Sequence, residues 1–273
     1  MPDRYAVIGN PVAHSKSPEI HAQFARQTGE DIVYARLLAP LDDFAGTVQA
    51  FRRAGGRGCN VTVPFKLEAF RLAHEHSPRA TEAEAVNVLK FDGERVFGDN
   101  SDGAGLVRDI EVNLGVSLRG RRVLLMGAGG AAQGVLGPLL AAQPKLLVIG
   151  NRTLEKAEQL ARRFSQAGTG PPLCARGYAD LAGDSFDIVV NATSASLNDA
   201  TLELPEGLFA PGALAYDTMY GKGLTPFLRA AQSEGAALAD GLGMLVEQAA
   251  ESFFIWRGVR PHTAPVIETL RRS

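Results

Sequence analysis

The run NVTVPFK, residues 60 to 66, combines two hydrogen-bonding side chains with an ammonium group. In a strand-like stretch Asn60 and Thr62 point to one face while Val61 and Val63 fill the other. Pro64 then ends the strand, and Lys66 follows at its C-terminal end, where parallel sheets place their ligands. A lysine can bond a developing alkoxide and give up a proton to it, a role that arginine copies badly because it holds its proton too tightly. Of the 28 basic residues only six are lysine, so the charge is mostly arginine and Lys66 stands apart. Asp102, in GDNSDG, opens a helix whose dipole favours the ionised carboxylate; a plain helix cap is the alternative. Asn87 lies in the apolar strand AVNVLKF, where an unpartnered amide is costly, so it needs a hydrogen-bond partner or a ligand. Ser15 and Ser17, in HSKSP, either present paired hydroxyls to an anion or serve a helix beginning at Pro18, with Ser17 as its cap; the local pattern favours capping.

A second centre lies in VLLMGAGGAA, where Gly127, Gly129 and Ala132 form G-x-G-x-x-A directly after an apolar strand and at the start of a helix. Glycine permits a tight turn and close approach of backbone to a pyrophosphate, whose charge the free N–H groups and the helix N-terminus stabilise. An NAD enzyme normally carries Asp or Glu at the end of the next strand, for the ribose 2′-hydroxyl. Here the residues are Asn151, Arg152 and Thr153. No carboxylate repels a 2′-phosphate, and the planar fork of Arg152 suits one, so the pattern reads as NADP. Lys156 adds positive potential or is a surface lysine of the helix that runs to Phe164, which Thr153 caps.

Short apolar runs alternate with amphipathic segments along most of the chain, the signature of α/β architecture with largely parallel sheets. One system holds strands at Tyr5 to Ile8, Asp31 to Leu38 and Cys59 to Val63, with helices at Pro18 to Thr28 and Leu41 to Ala54. A hairpin follows, Ala85 to Phe91 and Arg95 to Gly98 around Asp92-Gly93, then a helix from Asp102 to Leu114. The second system has strands at Val123 to Met126, Leu146 to Ile149, Asp187 to Val190 and Ala213 to Tyr216, with a loop at Ala167 to Pro172. Met244 to Trp256 carries Leu245, Ala249, Phe253 and Trp256 at helical spacing. With 273 residues the chain has room for two domains. Its 28 basic and 30 acidic residues leave a net charge of -2, which argues against a dedicated nucleic-acid binder. Cys59 and Cys174 form no disulfide framework or zinc pattern, which points to a reducing cytoplasm. No stretch nears the roughly 20 apolar residues of a membrane span. His14 and His21 lie near the Ser15 segment, and His74 and His76 sit two apart on a helix; structural roles are expected for all of them.

Taken together, GNPVAHSKSPEIH, NVTVPFK, AVN, DNSDG, GAGGAA with NRT, NATS from Asn191 to Ser194, YDTMYGKGLTPFL and DGLGMLVEQAA resemble shikimate dehydrogenase over nearly the whole chain. The resemblance implies a two-domain α/β protein. Residues 1–102 and 240–273 would form a mostly parallel substrate-binding and catalytic domain, and residues 103–239 a Rossmann domain for NADP. It implies that Lys66 and Asp102 are the catalytic pair, and that Ser15, Ser17, Asn60, Thr62, Asn87 and Gln248 line the substrate site, with Tyr220 approaching the substrate carboxylate. Gly127, Gly129, Gly130, Ala131, Asn151, Arg152, Thr153 and Lys156 would hold NADP, with Met219 and Gly243 near the nicotinamide. The implied reaction is reversible NADPH-dependent reduction of 3-dehydroshikimate to shikimate in aromatic amino-acid biosynthesis, by a cytoplasmic monomer or homodimer without metal. Quinate or shikimate oxidation with NAD, and a non-catalytic ligand sensor, are the rivals. Arg152 argues against the first, and the joint presence of Lys66 and Asp102 against the second. Two departures stand out: Ser101 replaces a threonine common in the family, and Ala195-Ser196-Leu197 follow NATS where a glycine and then a methionine or isoleucine are usual.

Overall fold

Each of the apolar runs becomes a strand in a computed structural model that describes residues 1–165, 170–193, 204–221 and 223–272. Two units emerge, Met1–Gly105 with Leu245–Ser273, and Leu106–Met244.

The first unit opens with β1 (Asp3–Gly9), α1 (Ser17–Thr28), β2 (Ile32–Leu38), α2 (Phe44–Arg53) and β3 (Gly56–Val61). Then come α3 (Lys66–Leu72), β4 (Glu75–His76), α4 (Pro78–Ala83), β5 (Val88–Asp92), β6 (Arg95–Asp99) and the start of α5 (Asp102–Arg108). Its sheet has the order β2-β1-β3-β5-β6-β4. β1 runs parallel to β2 and β3, and β4 to β6, while β5 is antiparallel to both of its neighbours. The β5–β6 hairpin turns at Gly93-Glu94, one residue later than the expected Asp92-Gly93, because Asp92 still pairs with Arg95 at the end of β5. Local chemistry sets several helix starts: the Asp43 carboxylate accepts from Gly46 N at 3.0 Å, and Ser77 Oγ from Ala80 N at 3.1 Å.

The second unit carries α5 onward through a π-helical turn, Asp109–Asn113. It continues with β7 (Arg122–Met126), α6 (Gly130–Ala141), β8 (Leu146–Gly150), α7 (Leu154–Ser165), β9 (Leu173–Arg176), β10 (Phe186–Asn191), β11 (Phe209–Asp217), α8 (Pro226–Ser233) and β12 (Ala237–Asp240). All five strand pairings are parallel, in the order β12-β11-β10-β7-β8-β9. Numbered from β7, this is the doubly wound 3-2-1-4-5-6 arrangement, with its switch point between β7 and β10. Helices cover both faces of such a sheet, which is why β7, β8 and β10 read as unbroken apolar runs rather than alternating ones. The chain then enters α9 (Leu242–Arg257), whose residues from Leu245 onward belong to the first unit, as does α10 (Ala264–Arg272).

Several local expectations need correcting. β3 ends at Val61, so Thr62 follows the strand, and Val63 is 61% exposed rather than packed on the opposite face. A turn at Val63 to Phe65, not Pro64 alone, separates β3 from α3. Asn87 precedes β5 instead of lying within it. α1 begins at Ser17 itself; Lys16 is the cap residue and makes no side-chain capping bond, whereas Ser15 Oγ accepts from Ser17 N at 3.3 Å. His74 and His76 are not helical: His76 lies in β4, and His74 Nδ1 accepts from Val96 N at 3.0 Å. The helix expected from Asp102 to Leu114 is α only to Arg108. Ser194, the Ala195-Ser196-Leu197 departure and residues 167–169 of the expected loop lie outside the described residues.

Candidate active site

Lys66 is the first residue of α3 and Asp102 the first of α5, so two helix starts in the first unit face the same spot. Lys66 Nζ lies 2.5 Å from Asp102 Oδ2, and the other carboxylate oxygen, Oδ1, accepts from Asn87 Nδ2 at 2.7 Å. The Asp102 side chain is 10% exposed and that of Lys66 23% exposed, so the ammonium can still be reached from solvent. One N–H of Lys66 is spent on Asp102, which leaves two for another acceptor.

Asn87 is held from its other end. Its Oδ1 accepts from Ser101 N at 2.8 Å and Ser101 Oγ at 3.2 Å, which fixes the flip of the amide and aims Nδ2 at the aspartate. Ser101 thus performs a structural task that a threonine could also perform. Gln248, on α9, places Oε1 3.5 Å from Asn87 Nδ2 and 3.4 Å from Ser101 Oγ, while its Nε2 donates to Leu245 O at 2.9 Å. Asn60, buried at the end of β3, donates to Ser252 Oγ at 2.8 Å and Asn87 O at 3.2 Å, and accepts from Tyr34 OH at 2.7 Å. Ser15 Oγ donates to Ser17 Oγ at 3.1 Å, and Ser17 is buried. The structure therefore joins Lys66, Asp102, Asn87, Gln248 and Asn60 in one hydrogen-bonded group, with Ser15 bonded to Ser17. Thr62 is half-buried just after β3 and has no place in that chain of bonds.

The sequence marks Ser101 only as a departure from the family pattern, and it does not mark Ser252 or Tyr34 at all. Ser252 lies four residues beyond Gln248, one helical turn on, and its Oγ donates back to Gln248 O at 2.9 Å. That spacing was the available signal. Tyr34 gave none, since a tyrosine in a strand reads as packing.

In the second unit the glycine loop sits at the switch point. Gly127 has φ +105°, and a Cβ there would meet Ala192 O at 3.1 Å, so the turn is closed to larger residues. Gly129 is the cap residue of α6, with open space where a side chain would begin, and Gly130 opens the helix. Ala131 is exposed and Ala132 is buried. A helix of 12 residues thus starts at two glycines whose Cβ positions are open, and its free N-terminal N–H groups suit a pyrophosphate. Asn151 donates from Nδ2 to Thr153 O at 2.8 Å; Arg152, Thr153 and Lys156 are exposed. Burial pushes the Tyr178 phenol up to about 12, and the nearby charge of Arg152 opposes that rise. Across the switch point, Asn191 Nδ2 donates to Asp217 Oδ2 at 3.2 Å, and Asp217 Oδ1 accepts from Met219 N at 3.0 Å. Met219 O accepts from Gly241 N at 3.0 Å, and Gly243 is buried where a Cβ would fall within 2.0 Å of Asp109 Oδ1. Tyr220 is half-buried, and burial raises its phenol.

Among the described residues no helix is long and apolar enough to cross a membrane. The sequence matches the family models for the shikimate dehydrogenase substrate binding domain over residues 7–89, shikimate / quinate 5-dehydrogenase over residues 110–203, and the shikimate 5'-dehydrogenase C-terminal domain over residues 241–271. It is 62% identical to the shikimate dehydrogenase (NADP(+)) of Nitrosospira multiformis, covering 100% of this chain and 98% of that protein. It is likewise 62% identical to that of Aromatoleum aromaticum, over 99% and 98%. Among solved structures it resembles the shikimate 5-dehydrogenase of Thermus thermophilus in complex with NADP(H) and shikimate, with a TM-score of 0.88 and 34% identity over 99% of each chain.

Proposed function

The chain belongs to the shikimate dehydrogenase family, and from that premise we propose that it reduces 3-dehydroshikimate reversibly to shikimate with NADPH. The observation that carries the proposal is the pairing of Lys66 with Asp102 at 2.5 Å, braced by Asn87, in a chain this similar to NADP-dependent relatives. The first unit is the substrate-binding and catalytic domain, and the second is the NADP-binding domain. Their division supports boundaries at Gly105 and Met244.

The residues of the second unit fit a dinucleotide. The α6 N-terminus and the Gly127 turn would take the pyrophosphate, and Arg152, with Asn151, Thr153 and Lys156 beside it, the 2′-phosphate. Gly130 and Ala131 belong to the same turn, and Met219 and Gly243 are assigned to the nicotinamide end. When bound, the reduced nicotinamide supplies a hydride to the ketone carbon. Lys66 bonds the ketone oxygen through one of its two remaining N–H groups and releases a proton to the oxygen as it gains charge. Asp102 keeps the ammonium in place and accepts from a neighbouring substrate hydroxyl. Asn60, Asn87, Thr62 and Gln248 read the ring hydroxyls, and Ser15 and Ser17 hold the carboxylate. The assignment of Tyr220 to that carboxylate rests on the resemblance.

A four-way assay of shikimate and quinate, each with NADP and with NAD, tests the reading: turnover should be highest with shikimate and NADP. Preference for quinate or for NAD would overturn it. Arg152→Ser should weaken NADP far more than NAD, because only NADP has a 2′-phosphate to lose a partner. Equal weakening would remove Arg152 from the cofactor site. The same proposal places the protein in the cytoplasm, as a reduced protein with Cys59 and Cys174 free.

A further inference from the structure

The Asn60 carboxamide is gripped on both sides by groups outside the expected substrate contacts. Tyr34 OH donates to Oδ1 at 2.7 Å, and Ser252 Oγ accepts from Nδ2 at 2.8 Å, with Asn87 O taking the second amide hydrogen at 3.2 Å. Both donors of the amide are therefore committed, and its oxygen keeps one lone pair. The Tyr34 ring cannot easily swing away. It stacks on His21 at a centroid distance of 4.2 Å and an interplanar angle of 7°, and His21 is itself buried against Phe24 and Phe253. Burial first, then the neighbouring Cys59 thiol, push the Tyr34 phenol well above its ordinary value, with the Ser17 hydroxyl opposing, so the group stays protonated and keeps its hydrogen on Asn60.

We propose that Tyr34 and Ser252 are positioning residues that lock the flip of Asn60, so that it meets the substrate as a hydrogen-bond acceptor and reads a ring hydroxyl by its proton. The inference rests on the proposed shikimate site and assigns the direction of one of its contacts. With Tyr34→Phe, the Asn60 oxygen loses its phenol donor, and only the bonds to Ser252 Oγ and Asn87 O still hold the amide against turning its N–H groups toward the ligand. In the fraction of molecules that turn, a site built to accept from a hydroxyl presents a donor instead.

The test is steady-state kinetics of shikimate oxidation for Tyr34→Phe, Asn60→Ala and the double variant, with thermal unfolding as a folding control. Tyr34→Phe should raise KM for shikimate about tenfold, the size of one buried hydrogen bond, and change kcat less than about threefold. In the Asn60→Ala background the same substitution should leave KM unchanged, because its effect passes through Asn60. Ser252→Ala supplies an independent variant with the same expected pattern. An unchanged KM in Tyr34→Phe, or the same fold-rise with and without Asn60, overturns the assignment while wild-type turnover stands. Wild-type protein that fails to oxidise shikimate overturns the parent reading and this one with it.

Discussion

Lys66→Ala removes the ammonium that bonds Asp102 Oδ2 at 2.5 Å and leaves the cofactor cradle of the other unit untouched. Turnover should fall by about 10²- to 10⁴-fold, the usual worth of a positioned general acid, while NADP affinity measured by calorimetry stays the same. His21 makes a separate prediction. Burial pushes its imidazole down to about 3, an effect the Asn60 side chain opposes only in part. Unfolded, the same group takes a proton near pH 6.5. Between those values the unfolded chain binds the extra proton, so stability is fully present above about pH 6.5 and falls with acidification by about 1.4 kcal/mol per pH unit. Denaturant unfolding of His21→Phe, which keeps a ring against Tyr34, should show that slope removed. Equal slopes in the two proteins would mean that His21 is protonated in the fold. At this scale the two members of the Lys66–Asp102 pairing were legible as candidates, since a lysine after an apolar strand in an arginine-rich chain and an acid at a helix start both carry a chemical reason. Tyr34 and Ser252 were not, because a strand tyrosine and a helical serine look the same whether they pack or position.

Asp99, at the end of β6, is buried and accepts from Arg79 Nε and Nη2, both at 2.7 Å, from Asn100 N at 2.7 Å, and from Ser77 Oγ. Arg79 also donates to Glu251 on α9 at 2.9 Å, and Arg260 to the same carboxylate at 2.5 Å. Burial would raise the Glu251 carboxyl, but Arg260 and Arg79 outweigh it and hold it below its ordinary value. The network ties together α4, the β6 end that leads to Asp102, and the helix that carries Gln248. Arg79→Met leaves a buried aspartate without its cation and should cost about 3 kcal/mol in denaturant unfolding, with a loss of shikimate affinity larger than that for NADP. A cost below about 1 kcal/mol would place Arg79 among ordinary surface pairs. Strands were readable where both faces are apolar, as in β7, β8 and β10 of the second unit. β4, β9 and β12 were missed: each is a short strand at a sheet edge, with too few residues to establish a period. α3 was hidden because a turn and Pro64 precede it: the sequence places Lys66 just beyond a strand, with no sign that it opens a helix.

Removing residues 245–273 should separate the two halves of the proposed chemistry. The first unit depends on α9 for Phe253 and for Trp256, whose indole stacks on Tyr5 at 4.6 Å and donates to Leu89 O at 3.0 Å, and on α10 for Leu270. Burying each such side chain contributes on the order of 2 kcal/mol, so losing three of them, together with the rest of two helices, takes most of the roughly 5–15 kcal/mol that holds a domain folded. The second unit is one continuous stretch, Leu106–Met244, with its own buried cluster running from Leu106 through Val123, Leu147 and Ile188 to Tyr216. None of those residues is lost. A chain ending at Met244 should therefore show no shikimate turnover yet bind NADP in calorimetry with a Kd within about threefold of the full chain, since the Gly127 turn, the α6 N-terminus and Arg152 are intact. Loss of NADP binding would mean that the cofactor domain needs the C-terminal helices to fold. No local pattern in the sequence carries this dependence. The spacing of Ala249, Phe253 and Trp256 announces a buried helix, but burial partners nearly the whole chain away, such as Tyr5, leave no trace in periodicity.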